Sequence, residues 1–268
     1  MPNRDTRLCI SLSGRPSNIG TRFHNYIYRE LGLDYLYKAF TTDDLPAAIA
    51  GVRALGIRGC AVSMPFKEDV IALVDVMGRS AAAISSVNTI VNDEGVLHAY
   101  NTDYSAVATL LRTHDVDPVL PTAVRGSGGM AKAVVAALRD NGFADVTVVA
   151  RNPETGSALA EAYGFTHAAA APESSRLLIN VTPIGMANGA DRAELSFNRE
   201  LINSAATVFD VVALPEQTPL IRAARAASVP VITGGEVIAL QAAEQFALYT
   251  GITPDADLVR RASEFSRR

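Results

Sequence analysis

Two short polar segments carry an ammonium group and a carboxylate of the kind that proton transfer needs. Ser63 to Lys67 follows a predicted strand at 59–63, and Asn101 to Asp103 follows a predicted hairpin. Hydride transfer to a ketone leaves negative charge on oxygen, so a positioned proton donor must accompany it. A lysine or an acidic residue can serve as that donor, and the two segments supply Lys67 and Asp103 as candidates. Taken alone, a surface lysine and a helix-capping aspartate are the simpler interpretations.

A glycine-rich segment follows a predicted strand at 121–125 and opens a predicted helix at 130–141. Gly126, Gly128 and Ala131 match the dinucleotide pattern G-x-G-x-x-(G/A). The first glycine makes a tight turn, the second lets the backbone approach a pyrophosphate, and the small third residue lets the helix pack on the strand. The positive end of the helix then favours phosphate groups. The pattern predicts a dinucleotide site at Gly126, Ser127, Gly128, Gly129, Met130 and Ala131.

The residues after the next predicted strand indicate which dinucleotide is bound. An NAD site would place an acidic residue there to bind the ribose 2′-hydroxyl. This chain has Ala150-Arg151-Asn152 instead. A guanidinium can pair with a phosphate, so Arg151 favours NADP. The simpler alternative is that Arg151 is a solvated loop residue.

The strands and helices that position these segments alternate along the chain. Predicted strands lie at 8–12, 35–40, 59–63, 89–92, 96–100, 121–125, 146–150, 177–181, 207–212 and 229–233. Predicted helices lie at 23–31, 44–55, 67–77, 103–113, 130–141, 154–163, 219–227, 236–249 and 256–265. This order predicts an α/β fold with parallel sheets covered by helices on both faces.

The length of 268 residues favours two domains. We expect an N-terminal α/β substrate-binding and catalytic lobe, 1–102 plus 237–268. The second domain, 103–236, is expected to be a Rossmann-type, doubly wound NADP domain, with the last helices returning to the first lobe.

The composition and charge of the chain indicate which classes of protein it can and cannot belong to. Hydrophobic residues make up 49% and the net charge is −4, so the chain is globular and a nucleic-acid partner is not expected. No apolar run is long enough for a signal peptide or membrane span, so we expect no membrane association and a cytoplasmic location. Cys9 and Cys60 lie in apolar runs and are expected to be buried. The four histidines are scattered, and no metal site is predicted.

The chain resembles the shikimate dehydrogenase family along nearly its whole length. The resemblance lies in the order, spacing and content of eight segments. These are Ser63–Lys67, Ser86–Thr89, Asn101–Asp103, Gly126–Gly129, Ala150-Arg151, Asn180–Met186, Pro215–Leu220 and Gly234–Gln241.

The resemblance implies an enzyme that uses NADP to reduce 3-dehydroshikimate to shikimate, reversibly, in the synthesis of chorismate and aromatic amino acids. Its catalytic pair would be Lys67 and Asp103. The substrate, a hydroxylated cyclic carboxylate, would meet Asn18, Gly20, Ser63, Asn88 and Gln241. Thr182 and Met186 would lie near the cofactor, and Gly234 near the nicotinamide. The protein would act as a monomer or homodimer.

Departures from the family pattern concern the substrate. Asn18 and Gly20 replace two serines that bind the substrate carboxylate in the family, Ala213 replaces a tyrosine and Val237 a methionine. Lost hydrogen bonds weaken discrimination for a polar group, although Ser13, Arg15, Ser17 and Thr21 lie close in sequence and could replace them. Two alternatives therefore stay open. The same chemistry could act on a related ring acid, of the quinate or amino-shikimate type, or the protein could bind NADP and a metabolite without significant turnover.

Overall fold

The computed structural model describes residues 2–187 and 189–267, and the chain divides into two compact units. Unit 1 comprises the chain up to Thr102 and from Ala239 onward, and unit 2 comprises Asp103–Ile238. The domain limits proposed from the sequence differ from this division only in residues 237 and 238. The assignment of a substrate-binding lobe and an NADP domain to these limits remains a prediction.

Unit 1 is a mixed sheet with helices on both faces. Its strands are β1 (Arg7–Leu12), β2 (Tyr35–Phe40), β3 (Gly59–Val62), β4 (Val76–Met77), β5 (Thr89–Asp93) and β6 (Val96–Tyr100), in the order β2-β1-β3-β5-β6-β4. Its helices are α1 (Asn18–Glu30), α2 (Leu45–Ala54), α3 (Arg79–Ala82), α10 (Ala256–Ser266) and the end of α9 (Gly234–Thr250). Strand β5 runs antiparallel to both β3 and β6. The hairpin predicted from the sequence therefore adds antiparallel pairing to a sheet whose other strand pairs, β1–β2, β1–β3 and β4–β6, are parallel.

Unit 2 is a fully parallel, doubly wound sheet. Its strands are β7 (Thr122–Arg125), β8 (Val146–Val149), β9 (Thr166–Ala168), β10 (Leu177–Asn180), β11 (Thr207–Asp210) and β12 (Val231–Thr233). Its helices are α4 (Thr102–Thr113, from Asp103), α5 (Gly129–Asp140), α6 (Pro153–Tyr163), α7 (Arg199–Ser204), α8 (Pro219–Ala226) and the start of α9. The strand order is β12-β11-β10-β7-β8-β9. This is the Rossmann order, in which winding reverses between β7 and β10 and ligands bind at the strands' carboxyl ends.

Successive residues of the strands in unit 1 pack into cores on opposite sides of the sheet. Cys9 joins Phe23, Ile27 and other residues of α1, α9 and α10, whereas Ile10 and Cys60 join residues of α2. Both cysteines are fully buried, as predicted, and burial raises the pKa of the Cys9 thiol to about 11. The alternation follows from the two-residue period of a strand.

The predicted helix at 67–77 is wrong. A short 3₁₀ turn occupies Asp69–Leu73, and β4 then pairs with β6 at the edge of the sheet. The carboxylate of Asp75 accepts a hydrogen bond from the backbone N–H of Leu97 at 2.7 Å and pairs with Arg53. These contacts hold the segment extended, so pairing with a distant strand outweighs the local helical pattern.

Local residues specify a helix start and a turn in unit 1. Asp44 caps α2, with its side chain accepting a hydrogen bond from the N–H of Ala47 at 2.9 Å. The hairpin turns at Glu94 and Gly95, whose φ angles are +50° and +91°.

Of the helices that the structure describes, none is both long enough and apolar enough to span a bilayer.

Candidate active site

A cleft of about 530 Å³ opens at the carboxyl ends of β7, β8 and β10 in unit 2. It lies at the point where the winding of the sheet reverses, where a doubly wound sheet binds its ligand. Its walls come from the loop before α5, the loop after β8 and the segment after β10. The lining residues are Arg125, Gly126, Ser127, Gly128, Val149, Ala150, Arg151, Asn152, Ala169, Val181, Thr182, Pro183, Ile184, Asp191, Glu194 and Leu195.

The first glycine of the predicted pattern is required by the local geometry. Gly126 has φ of +127°, and a Cβ atom there would lie 2.8 Å from Cγ2 of Val181 and 3.1 Å from Cγ2 of Thr182. Only glycine therefore fits this turn. Gly128 precedes α5 and has no side chain to cap it, which leaves N–H groups of the first turn available to an anion.

The structure separates the predicted cofactor residues into two sets. Gly126, Ser127, Gly128, Arg151 and Thr182 line the cleft. The other five, Gly129, Met130, Ala131, Met186 and Gly234, are not among its lining residues.

Two residues of the second set have clear packing roles. Ala131 is fully buried, as expected for the third position of the pattern. A Cβ atom on Gly234 would lie 2.4 Å from the carbonyl oxygen of Val211, so this position requires glycine.

Asn180 shapes the segment that carries Thr182. Its side-chain oxygen accepts hydrogen bonds from Oγ1 of Thr182 at 2.6 Å and from its backbone N–H at 3.1 Å. Its amide nitrogen donates to Oδ1 of Asp210 at 3.0 Å and to the carbonyl of Ile184. Asp210 is fully buried, and burial raises the pKa of its carboxyl group. This network fixes the cleft wall after β10.

Arg125 is a cleft residue that the sequence predictions missed. It ends β7 and directly precedes Gly126, and its half-buried side chain lines the cleft with Arg151. Burial, and then the positive charge of Arg151, lower the pKa of Arg125. The only signal in the sequence was its place immediately before the glycine cluster.

Unit 1 brings three predicted site residues, Ser63, Lys67 and Asn88, to one place. Ser63 follows β3, and its backbone N–H donates to the carbonyl of Leu12 at 2.9 Å. The carbonyl of Lys67 accepts a hydrogen bond from Val87, and the carbonyl of Asn88 accepts one from Val62, each at 2.8 Å. The turn that carries Ser63 and Lys67 is thereby bound to the segment that carries Asn88.

The side chain of Asn88 is held in one orientation. Its Oδ1 accepts hydrogen bonds from the backbone N–H of Thr102 and from Oγ1 of Thr89, each at 2.8 Å. Its Nδ2 donates to Oγ1 of Thr102 at 3.1 Å, and its other amide hydrogen has no partner among the described residues. Because an amide nitrogen carries two hydrogens, Asn88 can donate one to a ligand.

The first turn of α1 carries the altered substrate positions. Asn18 is exposed at the start of the helix, and the cap residue Ser17 makes no side-chain capping hydrogen bond. A Cβ atom on Gly20 would meet Tyr37 at 3.5 Å, an ordinary contact. The buried hydroxyl oxygen of Thr21 has no hydrogen-bond partner within the described part of the chain.

Two predicted residues lie elsewhere in the chain. Gln241 is half-buried in the part of α9 that belongs to unit 1, and Asp103 lies in the first turn of α4 in unit 2. A carboxylate is stabilised at that end of a helix. The pairing of Asp103 with Lys67 remains a prediction.

Across residues 2–187 and 189–267, no group of three His, Cys, Asp or Glu side chains is placed to hold a metal ion.

Comparison with known proteins identifies relatives over the full length. Residues 18–90 match the family model described as the shikimate dehydrogenase substrate binding domain. The shikimate dehydrogenase-like protein of Haemophilus influenzae is 52% identical over 268 residues, which cover 100% of this chain and 99% of the relative.

Solved structures agree with these matches. The structure of a shikimate 5-dehydrogenase-like protein aligns over 100% of both chains, with a TM-score of 0.99 and 52% identity. The shikimate 5-dehydrogenase of Thermus thermophilus, in complex with NADP(H) and shikimate, aligns over 97% of this chain and 99% of its own, with a TM-score of 0.85 and 30% identity. Together with the glycine turn and the Rossmann strand order, these matches establish that the chain belongs to the shikimate dehydrogenase family of oxidoreductases.

Proposed function

We propose that this protein uses NADPH to reduce 3-dehydroshikimate to shikimate, reversibly, with Lys67 and Asp103 as the catalytic pair. The observation that carries the proposal is the cleft of unit 2 in a chain of this family. It combines a turn that only glycine can make, at Gly126, with Arg151 at the position where an NAD enzyme carries an acidic residue.

The residues of the cleft fit NADP. The loop at Gly126–Gly128 leaves room and N–H groups for a pyrophosphate, and Arg151 offers a guanidinium to the 2′-phosphate. Thr182 lines the wall that Asn180 holds in place. When bound, NADPH supplies the hydride.

Lys67 and Asp103 transfer the proton that accompanies the hydride. The ammonium group of Lys67 donates a proton to the substrate oxygen as the carbonyl is reduced, and Asp103 is its partner in the proton transfer. The reverse oxidation needs a base. The proton route therefore belongs to the pair and not to either residue alone.

Ser63, Asn88 and Gln241 orient the substrate in this proposal. The side-chain orientation of Asn88 is the best defined of the three, because hydrogen bonds with Thr89 and Thr102 hold it in place. One of its amide hydrogens is not used in these bonds. That hydrogen donates to a ring hydroxyl. A rigid donor discriminates strongly against a substrate that lacks the matching oxygen.

A second candidate is the same chemistry on a related ring acid, of the quinate or amino-shikimate type. The first turn of α1 favours it, because Asn18 and Gly20 stand where the family pattern has two serines for the substrate carboxylate. The hydroxyl of Thr21, which has no partner among the described residues, is another donor in that turn.

The experiment that tests the proposal follows NADPH consumption with 3-dehydroshikimate, 3-dehydroquinate and an amino analogue of dehydroshikimate. The parent protein is compared with Gly20→Ser, whose added Cβ atom would make only an ordinary contact with Tyr37. We expect Gly20→Ser to raise kcat/KM for 3-dehydroshikimate by about tenfold, the effect of one hydrogen bond to a carboxylate. Gly51→Ser is the matched control, since Gly51 lies in α2 with open space around it.

Three outcomes separate the candidates. Highest turnover of 3-dehydroshikimate by the parent supports the proposal. A higher rate with either of the other acids replaces it with the second candidate. Tight NADPH binding without turnover of any of the three acids would contradict both and favour a metabolite-binding protein.

A further inference from the structure

Arg125 and Arg151 converge on one cleft from the ends of neighbouring strands. Arg125 is the register partner of Val149, and Arg151 lies two residues beyond Val149. Neighbouring strands lie about 4.8 Å apart, so two long side chains from these positions can reach the same group. Both residues line the cleft that holds the glycine turn.

Within the described residues, no carboxylate or other polar group forms an ion pair or hydrogen bond with the side chain of either arginine. The charge that acts on Arg125 is that of Arg151, which lowers its pKa together with burial. Two like charges held near each other in a half-buried cleft are stabilised by a bound anion.

Because acidic residues line the same cleft, the charge of Arg125 is needed in addition to that of Arg151 to offset them. Asp191 and Glu194 also line it, so its formal charge is zero with both arginines present. With Arg151 alone the lining would carry a net negative charge, which opposes the binding of a phosphate.

We propose that Arg125 binds the 2′-phosphate of NADP together with Arg151, and is therefore a second determinant of the preference for NADP over NAD. The proposal rests on the proposed NADP-dependent function and deepens it. A phosphomonoester carries close to two negative charges at neutral pH and has three acceptor oxygens, which suits two guanidinium groups. The pyrophosphate, by contrast, has the N–H groups at Gly126–Gly128 available to it.

The test measures equilibrium binding by calorimetry, so that it does not depend on turnover. The probes are NADP⁺ against NAD⁺, and adenosine 2′,5′-bisphosphate against adenosine 5′-monophosphate, because each pair differs only in the 2′-phosphate. We expect Arg125→Gln to weaken binding of NADP⁺ and of the bisphosphate by about tenfold to a hundredfold, the range for a lost charge-assisted hydrogen bond. Binding of NAD⁺ and of the monophosphate should change by less than about twofold.

Two further variants calibrate this result. Arg151→Gln shows the size of effect for the residue already assigned to the 2′-phosphate. Arg125→Lys keeps the charge, loses the planar fork and should give a smaller loss, which also provides a readout if Arg125→Gln does not fold. Arg199→Gln is the matched control, because Arg199 lines the adjacent surface depression with Arg125 but not the nucleotide cleft.

Equal losses for NADP⁺ and NAD⁺ would overturn the proposal, because Arg125 would then serve the part of the nucleotide that both share. Unchanged NADP⁺ binding in Arg125→Gln and Arg125→Lys, or a parent protein that prefers NAD⁺, would also overturn it. The proposed reaction fails separately. A parent that binds NADP⁺ through its 2′-phosphate but reduces none of the ring acids would refute the reaction and leave the assignment of Arg125 standing.

Discussion

His24 lies fully buried in an aromatic cluster of unit 1. Its ring stacks on Tyr37 with the ring centroids 4.4 Å apart and the planes inclined by 12°, and Phe246 stacks at 6.4 Å. Burial lowers the pKa of His24 from 6.5 to about 3. The imidazole is therefore neutral in the folded protein at neutral pH, and it acts as part of the core.

We predict that His24 makes the fold less stable as the pH falls. The unfolded chain takes up a proton near pH 6.5, whereas the folded protein resists it until about pH 3. Its contribution to stability is thus fully present above pH 6.5 and is lost progressively below it. Between pH 7 and pH 5 the loss from this residue is about 2 kcal/mol.

Urea unfolding at pH 7 and pH 5 measures this effect in the parent and in His24→Phe, which keeps a ring against Tyr37 without a titrating group. The difference in free energy of unfolding between the two pH values should be smaller in the variant. Equal differences in the two proteins would show that His24 does not titrate on unfolding as proposed.

At the scale of an element, the start of α9 is determined by a capping box and by close packing. Oε2 of Glu236 accepts hydrogen bonds from the N–H and Oγ1 of Thr233, each at 2.8 Å, and Oε1 lies 2.9 Å from Nε2 of His114. These bonds hold Gly234 against the backbone of Val211. The helix can begin here only because position 234 has no side chain.

We predict that Gly234→Ala lowers the free energy of unfolding by about 1–3 kcal/mol, the usual cost of overpacking. The added methyl group would meet backbone atoms, which cannot move aside as a flexible side chain can. Gly129→Ala is the control, because α5 also begins with this glycine and its Cβ would meet nothing within 4 Å. Thermal unfolding should show a lower Tm for Gly234→Ala alone. A drop of the same size in both variants would point to a general effect of alanine at a helix start.

At the scale of the whole molecule, the proposed reaction needs residues from both units. Lys67 belongs to unit 1, whereas Asp103 and the cleft proposed to bind NADP belong to unit 2. We predict that Lys67→Ala lowers kcat by about 100-fold to 10,000-fold, the range for loss of a general acid. The Kd for NADP⁺ should stay unchanged, because Lys67 does not line the cleft.

Steady-state kinetics and nucleotide titration of the same preparations test this prediction. Lys38→Ala is the control, since Lys38 also belongs to unit 1 and its ammonium lies 3.9 Å from the ring centroid of Phe40. A near-normal rate in Lys67→Ala would remove Lys67 from the mechanism.

The sequence by itself determined the features that depend on neighbours along the chain. The order of strands and helices predicted the α/β fold, and the spacing at Gly126–Ala131 predicted a turn that only glycine can make. Asp44 is a residue type that caps helices, and Arg151 is predicted to be a cofactor determinant, for the same reason. A turn, a cap or a glycine motif is specified by the residues that form it.

Only the tertiary structure decided the features that depend on distant contacts. It bound Val76–Met77 to β6 where the local pattern predicted a helix, and it enclosed His24 between residues of β2 and α9. It also placed Arg125 in the cleft of unit 2 with Arg151. The physical reason is common to all three. Strand pairing, burial and the summed charge of a cleft are set by groups that lie far apart in the chain and meet only when it folds.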